Sequence, residues 1–150
     1  MKIWHLPPRY MDDVTLEAEQ HTLLSLFDHI AKQTPSSSFP ENDRLFMKYC
    51  NHHKYILFRL ILVNNELVKR ELAEPIDFDV YYDDIVTEKD YDIDEEDIKR
   101  DITIIQEIWS EFVNSEIGDY IGDLSLADTE QLLQEIEFLL SVVENEYDSD

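Results

Sequence analysis

Residues 90–101, DYDIDEEDIKRD, place carboxylates at Asp90, Asp92 and Asp94 and close on Asp101, which are the first, third, fifth and twelfth places of a calcium-type loop. Oxygen ligands at that spacing wrap around a hard cation only if the chain turns sharply at the sixth place, where glycine is required. Glu95 stands there, so a specific calcium site is not expected. Cys50, His52 and His53 form a second group of potential ligands. Consecutive residues on a helix diverge by about 100° at ~3.6 residues per turn, so the two histidines do not converge on one ion without ligands from elsewhere. They read as core or surface histidines, and Cys50 as a small buried hydrophobe. No Walker loop, dinucleotide fingerprint or nucleophile elbow is present in the sequence, so no catalytic residues, metal or cofactor are expected.

The carboxylates themselves remain. Residues 77–97, DFDVYYDDIVTEKDYDIDEED, hold eleven acids and one lysine with no glycine, serine or proline to loosen the chain. The bias extends over half the protein. Residues 1–70 carry nine Lys or Arg against eight Asp or Glu, whereas residues 71–150 carry three against twenty-seven, for a chain charge of −23. All five histidines lie in the near-neutral half. An acidic half of this kind repels nucleic acid and anionic membrane and attracts basic surfaces.

These groups need a scaffold, and the composition supplies one. A chain of 150 residues, 43% hydrophobic and 11% aromatic, has the material for one domain with a core. Ile, Leu, Val and Phe recur through the acidic half, which argues against disorder except in the final ENEYDSD. Two glycines, Gly118 and Gly122, are too few for a fold of tight hairpins, so helices are favoured. One cysteine excludes an internal disulfide and suits a reducing cytoplasm. MKIWHLPPRY has no signal-type apolar run, and YILFRLILV is too short to span a bilayer and contains Arg59. A soluble cytoplasmic protein is expected.

After Pro7 and Pro8, the spacing of Leu16, Leu23, Leu24, Phe27, Ile30 and Ala31 predicts a helix over 14–33, with Asp12, Asp13 or Thr15 available as its cap. TPSSSFPEND is a loop running into a short helix near 42–50. A long helix over 52–73, apolar nearly all round in its first half, belongs at the centre of the core; a buried strand over 55–63 is the alternative. Past Pro75, Ile76, Phe78, Val80 and Tyr82 alternate with Asp77, Asp79, Tyr81 and Asp83, as in an extended segment with one packed face. Helical period returns over 95–117, ending near Gly118. Ser125 and Asp128 resemble a capping box for a last helix over 126–146. The expectation is all-α: a single compact bundle of four to five helices with an acidic extended segment between its halves.

The N-terminal half, through IWHLPP, AEQH at 18–21 and LVNNELVKREL in the long helix, resembles the phage and bacterial pyrimidine-dimer DNA glycosylases, which are small all-helical proteins. The resemblance covers residues 1–80 at most. In that family a His, Glu, Arg and Glu pattern on helix one serves DNA binding and catalysis, and the resemblance places His21 on its histidine and Asp28 on its catalytic glutamate. Ser25 and Phe27 replace the family's Glu and Arg, and Lys2 hinders the removal of Met1 that an N-terminal amine nucleophile needs. The implied alternative is a glycosylase-like DNA repair protein or its inactive relative.

The overall composition is similar to that of phage DNA-mimicking inhibitors of restriction and other defence enzymes. Duplex DNA carries one charge per ~1.7 Å of axis. Acids repeating every three to four residues on a helix stand about 5–6 Å apart, near the spacing of successive phosphates on a strand. The leading expectation is a non-enzymatic partner surface built from Asp77, Asp79, Tyr81, Tyr82, Asp83, Asp84, Glu88, Asp90, Tyr91, Asp92, Asp94, Glu95, Glu96 and Asp97, with Tyr120 a further interleaved aromatic. Its partner is a basic nucleic-acid-binding protein, without direct binding to nucleic acid or membrane. An acidic adaptor or chaperone for a basic protein is a third reading.

Overall fold

The computed structural model describes residues 2–32, 40–110 and 128–148. Among these, regular structure is entirely helical. A 3-10 turn, Pro8–Tyr10, precedes α1 (Asp13–Lys32), α2 (Pro40–Tyr49), α3 (His53–Lys69), α4 (Asp79–Asp83), α5 (Glu95–Ser110) and α6 (Thr129–Asp148). The fold is all-α, and the strand alternative over 55–63 gives way to the middle of α3. Gly118, Tyr120, Gly122 and Ser125, and the end expected for α5 near 117, lie outside the described residues.

The chain groups into two units. One joins Met1–Ile3 to Glu17–Tyr91, and the other joins Trp4–Leu16 to Asp92–Asp150. The acidic run from Asp77 to Asp97 is shared between them, with the division after Tyr91.

In the first unit α3 is buried without a break from Tyr55 to Ile61. That continuity explains why its first half carries no polar face: every direction around the axis meets protein. Across α1, Leu23, Leu26, Phe27 and Ile30 repeat at intervals of three and four and are at most 3% exposed. Burying each such side chain contributes about 1.5–3 kcal/mol. In the second unit α5 packs against α6, with Ile98, Ile105, Leu132 and Ile136 at most 1% exposed.

Local chemistry sets the boundaries. Asp12 caps α1, its Oδ2 accepting from the Thr15 amide at 3.1 Å and its carbonyl from the Leu16 amide at 3.0 Å. Helix α3 ends at Lys69, four residues before the expected 73. Glu71 takes φ 63°, and its amide bonds to the Val68 carbonyl at 3.0 Å while the Leu72 amide bonds to the Leu67 carbonyl at 2.8 Å. This is the paired closure of a Schellman motif, formed with glutamate in the left-handed position where glycine is usual. Pro75 therefore follows a helix that has already stopped.

The extended segment expected over 76–83 is corrected to a turn followed by a helix. The Asp77 carboxylate accepts from the Asp79 amide at 3.0 Å, and α4 begins there. Alternation fails as a guide because Phe78 is 7% exposed whereas Val80 is 63% exposed. Phe78 and Tyr81, three apart, share the packed side, with ring centroids 5.8 Å apart. At the C-terminus α6 continues to Asp148, so most of ENEYDSD is helical.

Candidate functional site

Ten of the eleven acids between Asp77 and Asp97 are exposed. In the first unit these are Asp77, Asp79, Asp83, Asp84, Glu88 and Asp90. Their backbone is held in place by a series of contacts. On α4, Asp79 and Asp83 lie one helical turn apart, and Tyr81 anchors the helix by meeting the Phe27 ring edge-on at 5.3 Å. Tyr82 is half-buried beside it.

Beyond α4 the chain returns over the start of α3 and is fastened there residue by residue. The Val86 amide donates to His53 Nδ1 at 3.0 Å. Thr87 bonds on three sides: its hydroxyl donates to the Cys50 carbonyl at 2.9 Å and accepts from the His53 amide at 3.1 Å, and its carbonyl accepts from the Lys54 amide at 3.2 Å. The His52 ring donates through Nδ1 to the Lys89 carbonyl at 3.1 Å. Tyr91 then stacks on Tyr55 at 4.9 Å and meets Tyr49 at 5.3 Å and the edge of His52 at 5.3 Å. The Lys48 ammonium lies 5.8 Å from the Tyr91 ring. Glu88 and Asp90 thus project from a segment fixed on both sides, which lowers the entropy lost when they meet a partner.

The second unit presents Asp92, Asp94, Glu95 and Glu96. Asp97 belongs to the interior, at 7% exposure. It forms a reciprocal cap: the Asp97 amide donates to Asp94 Oδ1 at 2.9 Å and the Asp94 amide to Asp97 Oδ2 at 3.2 Å. Arg100 donates to the same carboxylate at 3.3 Å. Asp94 and Asp97 therefore start α5, and acids in its first turn also suit the positive end of the helix dipole.

Asp101, twelfth in the calcium-type spacing, is fully buried and accepts from the His5 amide at 2.6 Å and, through Oδ2, contacts His5 Nδ1 at 3.1 Å. Among the described residues no three or more His, Cys, Asp or Glu are grouped to hold a metal ion. Cys50 is half-buried, not fully enclosed.

On α1, His21, Ser25 and Asp28 are exposed and, at spacings of four and three, share one face. Asp28 lies 3.0 Å from Lys32. Phe27, at the position where the glycosylases have arginine, is buried and stacks obliquely on the His53 ring at 4.1 Å. Glu19 of AEQH is fully buried and engages Arg59 of α3 in a two-pronged ion pair at 2.7 and 2.8 Å.

Sequence reasoning missed the fastening residues His53 and Thr87 and the Glu19–Arg59 pair. A signal existed for the last, since Arg59 is a lone charge inside YILFRLILV and a charge so placed needs a buried partner. Nothing in the sequence marks Thr87, whose role depends on a contact formed across more than thirty residues. No described helix is long and apolar enough to cross a membrane. Comparison with protein-family models, curated proteins and solved structures finds no match to the chain.

Proposed function

We propose that this protein is a non-enzymatic acidic binder that occupies the nucleic-acid groove of a basic enzyme, presenting carboxylates where the enzyme ordinarily meets phosphates. The observation that supports this most is the exposure of ten carboxylates within residues 77–96, carried on backbone that side-chain and main-chain hydrogen bonds hold in place. Acids needed only for solubility gain nothing from being fixed. Like charges held this close disfavour folding through self-repulsion, and a cationic groove relieves that repulsion on binding. Tyr82 and Tyr91, half-exposed among the acids, add rigid contact area. The glycosylase-like alternative finds less support: Phe27, where that family has arginine, is in the core, and Asp28, where it has the catalytic glutamate, is paired with Lys32 at 3.0 Å.

The test is affinity capture from a lysate followed by elution with duplex DNA. The expected result is a basic nucleic-acid-binding enzyme released by DNA and by moderate salt. A captured basic protein that goes on binding DNA while complexed would reject mimicry in favour of an adaptor or chaperone.

A further inference from the structure

We propose that His53 is an acid-sensitive latch: protonation of its ring releases residues 84–86 from the start of α3. The proposal goes beyond the partner reading and does not depend on it.

His53 is fully buried, and both ring nitrogens are engaged by main-chain groups. A carbonyl only accepts and an amide only donates, so these partners leave the ring one neutral form. Nε2 carries the hydrogen and donates to the Phe27 carbonyl at 3.1 Å, and Nδ1 is bare and accepts from the Val86 amide at 3.0 Å. Adding a proton puts a second donor at Nδ1, pointed at the Val86 N–H across the same 3.0 Å. The hydrogen bond is lost and two donors face each other. No rotation of the ring repairs this, because a flip would bring an N–H of the doubly protonated ring to the same place.

Titratable groups adjoining the ring's partners in sequence include Asp28 and His29 on α1, Tyr81, Tyr82 and Asp83 on α4, Asp84 on the fastened segment, Cys50 and His52 ahead of α3, and Lys54 on it; of these, the charge that acts on the ring is that of Asp84. Burial is the largest influence on the ring and lowers its affinity for a proton below the ordinary 6.5, while the Phe27 carbonyl and the Asp84 charge oppose this less strongly. The sign follows. The closed latch binds its proton more weakly than the open one, so closure is favoured above the ordinary value of 6.5 and lost as pH falls through the lowered value. Thr87 limits the opening from the other side through its bonds to Cys50, His53 and Lys54. The segment that moves carries Asp84 and adjoins Asp83, so the latch controls part of the acidic surface.

The experiment is hydrogen exchange of the Val86 amide, corrected for intrinsic rate, in the wild-type protein at about pH 7.5 and about pH 5, with Leu60 in mid-α3 as reference and the His53 ring nitrogens followed by NMR. Protection of Val86 should fall, with a ceiling of about 30-fold set by the ordinary histidine value, while Leu60 is unchanged. His53→Asn offers an acceptor near the Nδ1 position that cannot be protonated, so Val86 should be equally protected at both pH values. Equal protection in the wild type, an equal loss at Leu60, or the same pH-dependent loss in His53→Asn would overturn the latch. If His53→Asn does not fold, the comparison of Val86 with Leu60 in the wild type decides alone.

Discussion

Arg59 and Glu19 show what a single charged side chain demands of its surroundings. Both are fully buried, and the guanidinium meets the carboxylate at 2.7 and 2.8 Å. Desolvating two ions costs several kcal/mol each, and their attraction offsets this only while both are present. Glu19→Gln should therefore destabilise the fold by about 3–5 kcal/mol, read as a lowered midpoint in urea at unchanged slope. A loss below about 1 kcal/mol would mean that the arginine finds water or another acceptor in the variant. His5 and Asp101 illustrate the same principle in the second unit. There a carboxylate that looks like a metal ligand in sequence serves to hold the N-terminal segment through the His5 amide at 2.6 Å.

The helices divide into those whose ends are written in local residue types and those ended by geometry. Asp12 before α1 and Asp94 before α5 are short acids of the kind that cap, and the starts expected at 14 and 95 fall within one residue of Asp13 and Glu95. The end of α3 was not legible, because Glu71 occupies a left-handed position that a sequence reader assigns to glycine. That conformation costs a non-glycine residue about 1–2 kcal/mol, partly offset by the backbone entropy glycine loses on folding. Glu71→Gly should thus stabilise the protein by up to about 1 kcal/mol, seen as a raised thermal midpoint. A lowered midpoint would show that the Glu71 side chain contributes more than its backbone strain. Over 76–83 four alternating apolar residues resembled a strand, yet the Asp77 carboxylate turned the chain and Phe78 and Tyr81 packed at helical spacing. The acidic surface was legible as composition because exposure of Asp and Glu is the rule. The buried acids Asp97 and Asp101 were not, since both are enclosed by partners set by the fold.

At the scale of the whole molecule, the dominant quantity is a net charge of −23, all of it contributed after residue 70. Such a field accelerates encounter with a basic partner and makes the complex sensitive to ionic strength. The most direct test of mimicry is a competition titration, in which the protein displaces labelled duplex DNA from its captured partner. It should be run beside a variant carrying Asp79→Asn, Asp83→Asn, Glu88→Gln and Asp90→Asn, all exposed positions in the first unit. Displacement by the wild type should follow a single competitive curve that weakens with salt, and the variant should need about tenfold or more protein for the same effect. Displacement that ignores both the substitutions and the salt would contradict the account.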